Sequence, residues 1–218
     1  MKTFFFESIY NTQEYALSEL SNEPILVVSY SQEKGKGTSN RMWLNADQAL
    51  ACSLAVKQED IKLNHTLIPL LSSYLFTEIL KDVNLRLKWP NDIVLDDLKV
   101  GGILVEKSKN NICIGMGINY FWKKPEIPGA GSIFTKKQKD SLVNLHAENW
   151  ANDLFSSLVK NNFDMGKYKQ KLQTLGKIVE YPEGRGWAKD INEDGSLKII
   201  STDGDYINLT SPLISEVN

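Results

Sequence analysis

A block of residues between positions 88 and 106 combines residue types that could do chemistry on an anion. The run Lys88-Trp89-Pro90-Asn91-Asp92 ends a strand-like segment at a proline, which cannot donate a hydrogen bond to a sheet. A polar turn leads to Lys99, and Gly101 and Gly102 then open a second apolar strand. Glycines let the backbone approach a ligand closely, and a lysine beside them is a point charge suited to phosphate or carboxylate. An ordinary hairpin with a Pro-Asn-Asp turn would fit the same residues.

A second candidate segment lies upstream and is basic and rich in glycine. The run Gly35-Lys36-Gly37-Thr38-Ser39-Asn40-Arg41 follows Gln32 and precedes Trp43. Its glycines allow a tight approach to a ligand, and its cations can neutralise phosphate. It is not a Walker A loop, because Gly37 follows the lysine where that loop has serine or threonine, and Tyr30 stands where it has its first glycine. Trp43 could offer a stacking face to a ligand or belong to the core.

Together with a third segment, Ile114-Gly115-Met116-Gly117-Ile118-Asn119, these runs resemble the motifs of biotin–protein ligases. That family carries K-W-P-N-D followed by K-x-x-G-I-L-V-E, a glutamine before a loop of the type G-R-G-R-x-[GN]-R-x-W, and an I-G-x-G-I-N strand end. The three motifs occur here in the family's order, and the resemblance covers roughly residues 1 to 175. Members attach biotin to carrier domains of biotin-dependent carboxylases, so the resemblance implies this activity here.

The resemblance implies a two-step reaction with ATP and Mg²⁺ and no tightly bound metal. The biotin carboxylate attacks the α-phosphate of ATP to give biotinyl-5′-adenylate and pyrophosphate, and a lysine of the carboxyl carrier then attacks the adenylate and releases AMP. Lys99 would contact both the biotin carboxylate and the α-phosphate, and Asp92 would orient Lys99 or hold Mg²⁺. Catalysis would also involve the loop cations, Lys36 and Arg41.

Two further sets of residues follow from the resemblance, one for each substrate. The biotin-binding set is Asn11, Thr12, Gln32, Gly35, Lys99, Gly101 and Gly102. The nucleotide-binding set is Lys36, Gly37, Thr38, Arg41, Trp43, Asn91 and Asn119. Asn11 and Thr12 could also cap a helix, and the two asparagines at 91 and 119 could instead form turns.

The sequence departs from the family pattern at three places. Lys36 and Thr38 stand where many members have arginines, and Asn11-Thr12-Gln13 replaces S-T-N. Lysine keeps the charge but loses the bidentate fork of arginine, and threonine loses both. We therefore expect weaker retention of the adenylate, unless Lys34 substitutes for the missing arginine.

Strands and helices that could position these residues follow from the apolar patterns. Strands are predicted at 3–6, 24–30, 50–56 and through the two signature blocks, and helices at about 12–20, 66–80, 140–163 and 168–175, the last ending at Gly176. Past that glycine, strands at 177–181, 186–191, 196–201 and 206–209 are separated by turns that contain Asp-Gly. We predict an α+β fold in which a mixed sheet backed by helices forms residues 1–175. A small SH3-like β-barrel at 176–218 would complete the rim of the active site.

Composition excludes several other classes of protein. The chain has 218 residues, a net charge of −2 and 42% apolar residues, so it can bury a core and lacks the basic footprint of a nucleic-acid-binding protein. Cys52 and Cys113 lie in apolar contexts typical of reduced thiols, and no cysteine–histidine cluster suggests zinc. No secretory signal or membrane span is evident, which predicts a cytoplasmic protein.

Alternative functions and the mode of assembly stay open. A lipoate or octanoate ligase shares the adenylate chemistry but generally lacks the K-W-P-N-D block, and a non-transferring biotin or adenylate sensor would explain Thr38. A repressor is not expected, because repressor-type members carry an N-terminal helix-turn-helix domain and this chain starts directly at the catalytic motifs. The carrier is expected to dock by edge-strand pairing, and the protein to be a monomer or a homodimer.

Overall fold

A large mixed β-sheet forms the frame of the molecule in this computed structural model, which describes residues 1–38, 41–210 and 214–216. The strand order is β1-β2-β3-β7-β6-β5-β4. β1 and β2 pair in parallel, and the other neighbours in this order are antiparallel. The strands are β1 (Lys2–Phe6), β2 (Ile25–Ser29), β3 (Gln48–Lys57), β4 (Arg86–Lys88), β5 (Asp92–Leu95), β6 (Leu98–Ser108) and β7 (Asn111–Phe121).

Four helices are held by local signals and by apolar packing. They are α1 (Thr12–Glu19), α2 (Ile68–Ile79), α3 (Asp140–Lys160) and α4 (Met165–Lys171). Asn11 caps α1 by accepting hydrogen bonds from the backbone N–H groups of Gln13 and Glu14, and Asp164 caps α4. α3 ends at Asn161, which takes the left-handed conformation with φ of 54°. None of the helices in the described part of the chain is long and apolar enough to cross a membrane.

The two faces of the large sheet are covered differently. On one face α2 and α3 bury a continuous apolar core that includes Leu54, Ile114 and Trp150. On the other face α1 covers a smaller cluster around Ala16, with Val27 of β2 beneath it. Because side chains alternate along a strand, this second face also receives Gly102 of β6 and Gly115 and Gly117 of β7. Beyond α1 it therefore has little side-chain volume.

The C-terminal part forms a four-stranded antiparallel sheet with the order β11-β10-β9-β8. Its strands are β8 (Ile178–Tyr181), β9 (Gly184–Ile191), β10 (Leu197–Ser201) and β11 (Tyr206–Leu209). The inner side chains Ala188, Leu197 and Ile199 belong to the same apolar core as the large sheet. β12 (Ile214–Glu216) then returns to pair in parallel with β6.

The predicted fold class is confirmed, with a mixed sheet backed by helices and a small C-terminal sheet that fits an SH3-like domain. One helix is shifted relative to the prediction. The helix predicted at 168–175 lies at 165–171. It begins earlier because Asp164 caps it, and it ends earlier because Leu172 forms a β-bridge with Leu87. The return of β12 was not predicted. The division into domains at residues 175 and 176 stays a prediction, and residues 211–213, 217 and 218 of the predicted C-terminal domain lie outside the described part.

Candidate functional site

A cavity of about 270 Å³ opens on the face of the large sheet that α1 leaves uncovered. Gly102 of β6 and Gly115 and Gly117 of β7 form its floor, because their lack of side chains leaves room above the strands. Most of the residues predicted from the sequence to bind substrates line it. These are Thr12, Gln32, Lys36, Gly37, Thr38, Arg41, Trp43, Asn91, Lys99, Gly102 and Asn119.

Two of the floor glycines are in direct contact with large side chains. A Cβ atom added at Gly117 would lie 2.7 Å from Cε2 of the Trp43 indole, and one at Gly115 would lie 2.7 Å from Oε1 of Gln13. Any side chain at either position would force its neighbour to move. Trp43 is therefore a wall of the cavity, packed on the backbone of β7.

Lys99 and Asp92 form an ion pair at the edge of the cavity. Lys99 Nζ lies 2.5 Å from Asp92 Oδ1, and the two side chains are 38% and 24% exposed. The ammonium also lies 5.8 Å from the centroid of the Trp43 ring. The backbone of Lys99 is held as well, because its N–H donates to Gly129 O at 2.7 Å and its carbonyl accepts from Gly131 N–H at 2.9 Å. The cation is thus fixed from both its side chain and its backbone.

A chain of hydrogen bonds forms the polar end of the cavity. Both the backbone N–H and the hydroxyl of Thr12 donate to Gln32 Oε1, at 2.8 and 2.9 Å. The hydroxyl of Ser53 on β3 donates in turn to Thr12 Oγ1 at 2.8 Å. Asn11 does not line the cavity, because its side chain caps α1 and donates to Lys34 O at 2.8 Å. It fixes the start of the helix on which Thr12 is presented.

The basic loop carries two cations that are already engaged. Lys36 Nζ lies 2.7 Å from Glu14 Oε1, and this hydrogen bond raises the pKa of the lysine. Arg41 donates to the carbonyl and the hydroxyl of Thr38, at 3.2 and 3.1 Å. Ser39 and Asn40, which were included in the predicted loop, lie outside the described residues.

The two asparagines are buried and hydrogen-bonded, Asn91 in the turn between β4 and β5 and Asn119 within β7. Asn91 Nδ2 donates to Ile103 O at 2.7 Å, and Asn119 Nδ2 donates to Gly131 O at 2.9 Å. The side-chain oxygen Oδ1 of Asn119 is buried without a hydrogen-bond partner among the described residues. Since an unpaired buried acceptor is costly, this oxygen is suited to accept a hydrogen bond from a ligand N–H.

Some predicted site residues lie outside the cavity lining. Asp92 acts through Lys99, and Gly35 packs beside Gln32 and Trp43. Gly101 faces the opposite side of the sheet, where an added Cβ would meet Ile118. The prediction that the C-terminal sheet completes the rim is wrong for its described residues, because none of them lines the cavity. That sheet packs on the core instead.

Sequence reasoning missed one whole side of the cavity. The segment from Ile127 to Ala130, with Trp122 before it, lines the site, but no motif marked it. Its part in the site depends on the backbone pairing with Lys99, which no local pattern encodes. Met42, Leu44, Cys52, Ile103, Leu104 and Met116 also line the cavity, as does Gln13.

The charges and polar groups of the cavity suit anionic ligands. Lys36, Arg41 and Lys99 bring three cations to it. Burial raises the pKa of the Cys52 thiol, so this side chain is protonated and cannot serve as a nucleophile. Throughout residues 1–38 and 41–210, no three histidine, cysteine, aspartate or glutamate side chains cluster to hold a metal. The arrangement can stabilise negative charge, and it can do so without a covalent intermediate on the protein.

Comparisons with known proteins agree with this geometry. Residues 5–119 match the model of the Biotin/lipoate A/B protein ligase family. The chain is similar to the biotin protein ligase of Aquifex aeolicus in complex with biotin and ATP, with 26% identity, a TM-score of 0.83 and coverage of 97% of both chains. It is also similar to the biotin acetyl coenzyme A carboxylase synthetase of Helicobacter pylori with bound biotinylated ATP. That match has 27% identity, a TM-score of 0.69 and coverage of 95% of this chain and 99% of the other.

Curated relatives match over a smaller part of their length. The chain is 31% identical over 125 residues to the chloroplastic biotin–protein ligase 1 of Arabidopsis thaliana, which covers 51% of this chain and 34% of that protein. This chain also matches 39% of biotin–protein ligase 2 of Arabidopsis thaliana and 19% of the biotin–protein ligase of Homo sapiens. The chain thus spans less than half the length of these relatives.

Proposed function

We propose a function for this chain on the ground that it belongs to the Biotin/lipoate A/B protein ligase family. It activates biotin with ATP and transfers the biotin to a lysine of a carboxyl carrier domain. The observation that carries the proposal is the Lys99–Asp92 ion pair at the edge of a glycine-floored cavity. Two anions must meet in the first step, and a fixed cation between them lowers the cost of their approach.

In the first step an oxygen of the biotin carboxylate attacks the α-phosphorus of ATP. The new C–O–P linkage forms as the bond to pyrophosphate breaks, and biotinyl-5′-adenylate results. An ammonium group has three N–H donors, and Asp92 occupies one of those on Lys99. The other two can then serve the biotin carboxylate and the α-phosphate together, which aligns the nucleophile with the phosphorus.

Magnesium would enter with the phosphates of ATP rather than occupy a site built by the protein. Mg²⁺ commonly binds through one or two carboxylates together with substrate phosphates. Asp92 is the carboxylate at the cavity edge that would hold it, and the ion would neutralise charge on the departing pyrophosphate. Asp92 can both orient Lys99 and hold Mg²⁺, because one carboxylate oxygen pairs with the lysine and the second oxygen is left for the ion.

The two ends of the cavity would bind the two substrates. The polar end at Thr12 and Gln32, where Ser53 supports Thr12 from β3, suits the ring system of biotin, whose polar atoms need donors and acceptors. The adenylate would lie between the basic loop and the side-chain Oδ1 of Asn119, which has no partner among the described residues, and it would pack against the Trp43 indole.

In the second step the neutral amine of the carrier lysine attacks the carbonyl carbon of the adenylate. An amide forms, AMP leaves, and the amine loses a proton. The carrier would dock beside the cavity by pairing with an edge strand. Its identity, the oligomeric state of the ligase and the cytoplasmic location stay predictions.

The experiment that tests this function is biotin-dependent release of pyrophosphate from ATP and Mg²⁺, followed by addition of a biotin carrier domain. Lipoate and octanoate are assayed in parallel. Release with biotin followed by labelling of the carrier would support the ligase, whereas release with lipoate or octanoate alone would assign the chain to the lipoate branch of its family. Binding of biotin without either step would indicate a sensor.

A Lys99→Ala variant tests the central cation in the same assay. We expect a fall in the rate of pyrophosphate release of about 10²-fold or more, as for the loss of one strong electrostatic group in a transition state. The fold should persist, because Lys99 is 38% exposed and fills no core volume. Lys189→Ala, at an exposed position of the C-terminal sheet, is the matched control. Normal release by the Lys99 variant would show that the assignment is wrong.

A further inference from the structure

Trp89 belongs to the signature block, yet its indole contacts the C-terminal sheet and not the cavity. The Nε1–H group donates to Gly195 O at 3.0 Å, and the backbone N–H donates to Thr174 Oγ1 at 2.9 Å. The next residues after Pro90 are Asn91, which lines the cavity, and Asp92, which pairs with Lys99. One short segment is therefore attached to the C-terminal sheet at one end and to the site at the other.

The acceptor of the indole hydrogen bond lies in a turn that is itself held firmly. This turn joins β9 to β10, and Thr66 Oγ1 donates to Asp194 O at 2.6 Å just ahead of α2. Gly195 has a φ of 84° and packs so closely that an added Cβ would lie 3.1 Å from Leu67 Cδ2. The carboxylate of Asp194 accepts from the hydroxyl and the backbone N–H of Ser196, at 2.6 and 3.0 Å. The turn is a fixed point to which Trp89 is anchored.

The segment leading into the C-terminal sheet also lies along β4. Gln173 N–H donates to Leu87 O at 2.8 Å, and Leu87 and Leu172 form a parallel bridge. Thr174, which receives the Trp89 N–H bond, is 6% exposed. β4 is thus held between β5 on one side and residues 172–174 on the other.

We propose that Trp89 is a positioning residue for the first step of the reaction. Its anchorage on the turn at Asp194 and Gly195 fixes the backbone of Asn91 and Asp92, and Asp92 in turn fixes the ammonium of Lys99. The C-terminal sheet contributes to the chemistry through this connection, although none of its described residues lines the cavity. The inference rests on the proposed function, since the reaction it concerns is the formation of the adenylate.

Trp89→Phe tests the connection, because it keeps an aromatic ring and removes the Nε1–H donor. We expect kcat for biotin-dependent pyrophosphate release to fall by about tenfold, while the KM values for biotin and ATP stay within about twofold, since the contacts that bind them remain. The matched control is Trp187→Phe, the same change made on β9 of the C-terminal sheet at a side chain that is 47% exposed. The control should behave as the wild type.

A second readout does not depend on the proposed function. The rate at which acetic anhydride acetylates Lys99, followed by peptide mass spectrometry, reports how firmly Asp92 holds its ammonium. Trp89→Phe should raise this rate by several fold, whereas Trp187→Phe should leave it unchanged. If the wild type releases no pyrophosphate with biotin, the proposed function fails, and the acetylation rates still decide whether Trp89 positions Lys99.

Thr66→Val is a milder variant that alters the same turn through a residue just ahead of α2. It removes the hydroxyl that donates to Asp194 O and should lower kcat and raise Lys99 acetylation in the same direction. When Thr66→Val is combined with Trp89→Phe, the fold-decrease in kcat should be smaller than the product of the two single fold-decreases, because both changes act on one turn. Wild-type kcat and acetylation rates in both single variants would overturn the inference. A loss of activity in proportion to the unfolded fraction, measured by circular dichroism, would overturn it as well.

Discussion

Thr38 and Arg41 show how a single replacement changes the electrostatics of the basic loop. Thr38 stands where the ligases that the sequence resembles frequently carry an arginine, and both its carbonyl and its hydroxyl accept hydrogen bonds from Arg41. Lys36 is engaged as well, by Glu14 at 2.7 Å. A phosphate that binds here must compete with the Glu14 carboxylate for Lys36, and with Thr38 for two of the five N–H donors of Arg41. The loop therefore offers less net attraction than its count of basic residues suggests.

Thr38→Arg should prolong the retention of the adenylate. An arginine adds a permanent charge and a bidentate donor, and it removes the hydroxyl that accepts a bond from Arg41. We expect the half-life of the bound adenylate to rise by about tenfold, which corresponds to ~1.4 kcal/mol. Rapid gel filtration of the preformed complex would measure it. Thr38→Gln, which is longer but neutral, is the control, and an unchanged half-life in the arginine variant would mean that the loop already compensates.

Glu106 is a buried carboxyl group whose ionisation opposes folding. It is 5% exposed on β6, and burial raises its pKa, assisted by Glu14 and opposed by Lys36. Because the pKa is higher in the folded than in the unfolded protein, its contribution to stability is fully present below the unfolded value of about 4.3 and is lost as the pH rises through the folded value. The carboxyl group thus lowers stability at neutral pH.

Glu106→Gln should therefore raise the Tm at pH 8 and have little effect near pH 4. We expect a rise of about 2–4 °C at pH 8, which corresponds to ~1 kcal/mol in a protein of this size. Thermal unfolding followed by circular dichroism at both pH values measures the difference. Glu180→Gln serves as the control, since this side chain is 71% exposed and pairs with Arg185. A Tm increase that is the same at both pH values would contradict the explanation.

At the scale of elements, β7 determines where the cavity can exist. Its sequence alternates apolar side chains toward the core with Gly115 and Gly117 toward the cavity. The apolar residues hold the strand at the centre of the sheet, while the glycines leave room for Gln13 and Trp43 to pack on the backbone. The same strand therefore contributes to stability on one face and to the site on the other.

Gly117→Ala should displace the Trp43 indole and weaken nucleotide binding. The added Cβ would lie 2.7 Å from the ring, and Trp43 can give way only toward the cavity or the solvent. We expect the Kd for ATP in the presence of biotin to rise by about tenfold, since overpacking of this kind costs roughly 1–3 kcal/mol. Isothermal titration calorimetry measures it. Gly166→Ala, in the first turn of α4, is the matched control, and equal Kd values in the two variants would exclude Trp43 as a wall of the nucleotide site.

At the scale of the whole molecule, the two sheets share one apolar core. Leu197 and Ile199 of the C-terminal sheet belong to the same cluster as Leu54 and Ile114 of the large sheet. A core of this kind couples the unfolding of the parts that it joins. We therefore expect the protein to unfold in one thermal transition, although its C-terminal sheet has a separate strand order.

Leu197→Ala should lower the Tm of the whole protein. Leu197 is 1% exposed, and its truncation should cost about 2–5 kcal/mol through lost burial and the cavity that remains. Differential scanning calorimetry would show a single transition at lower temperature. Leu142→Ala, at a side chain that is 37% exposed on α3, is the control. Two transitions, of which only the smaller moves, would show that the C-terminal sheet unfolds independently.

Local sequence signals were enough to predict the main functional residues of the site and most of the strands and helices. Lys99, Gln32 and Trp43 were identified from motifs, and the structure places all three at one cavity. Strand and helix positions followed from apolar periodicity and from caps such as Asn11, because these signals act over a few neighbouring residues.

Which of these residues face the cavity, and which residues lie opposite them, depends on the packing of distant segments. The tertiary structure separated Gly102 from Gly101, added residues 127–130 and moved the C-terminal sheet from the rim to the core. Each of these outcomes depends on pairing and packing between segments distant in the chain, such as Trp89 with Gly195. Local patterns cannot encode such contacts, because the partner of a buried group is chosen by the fold as a whole.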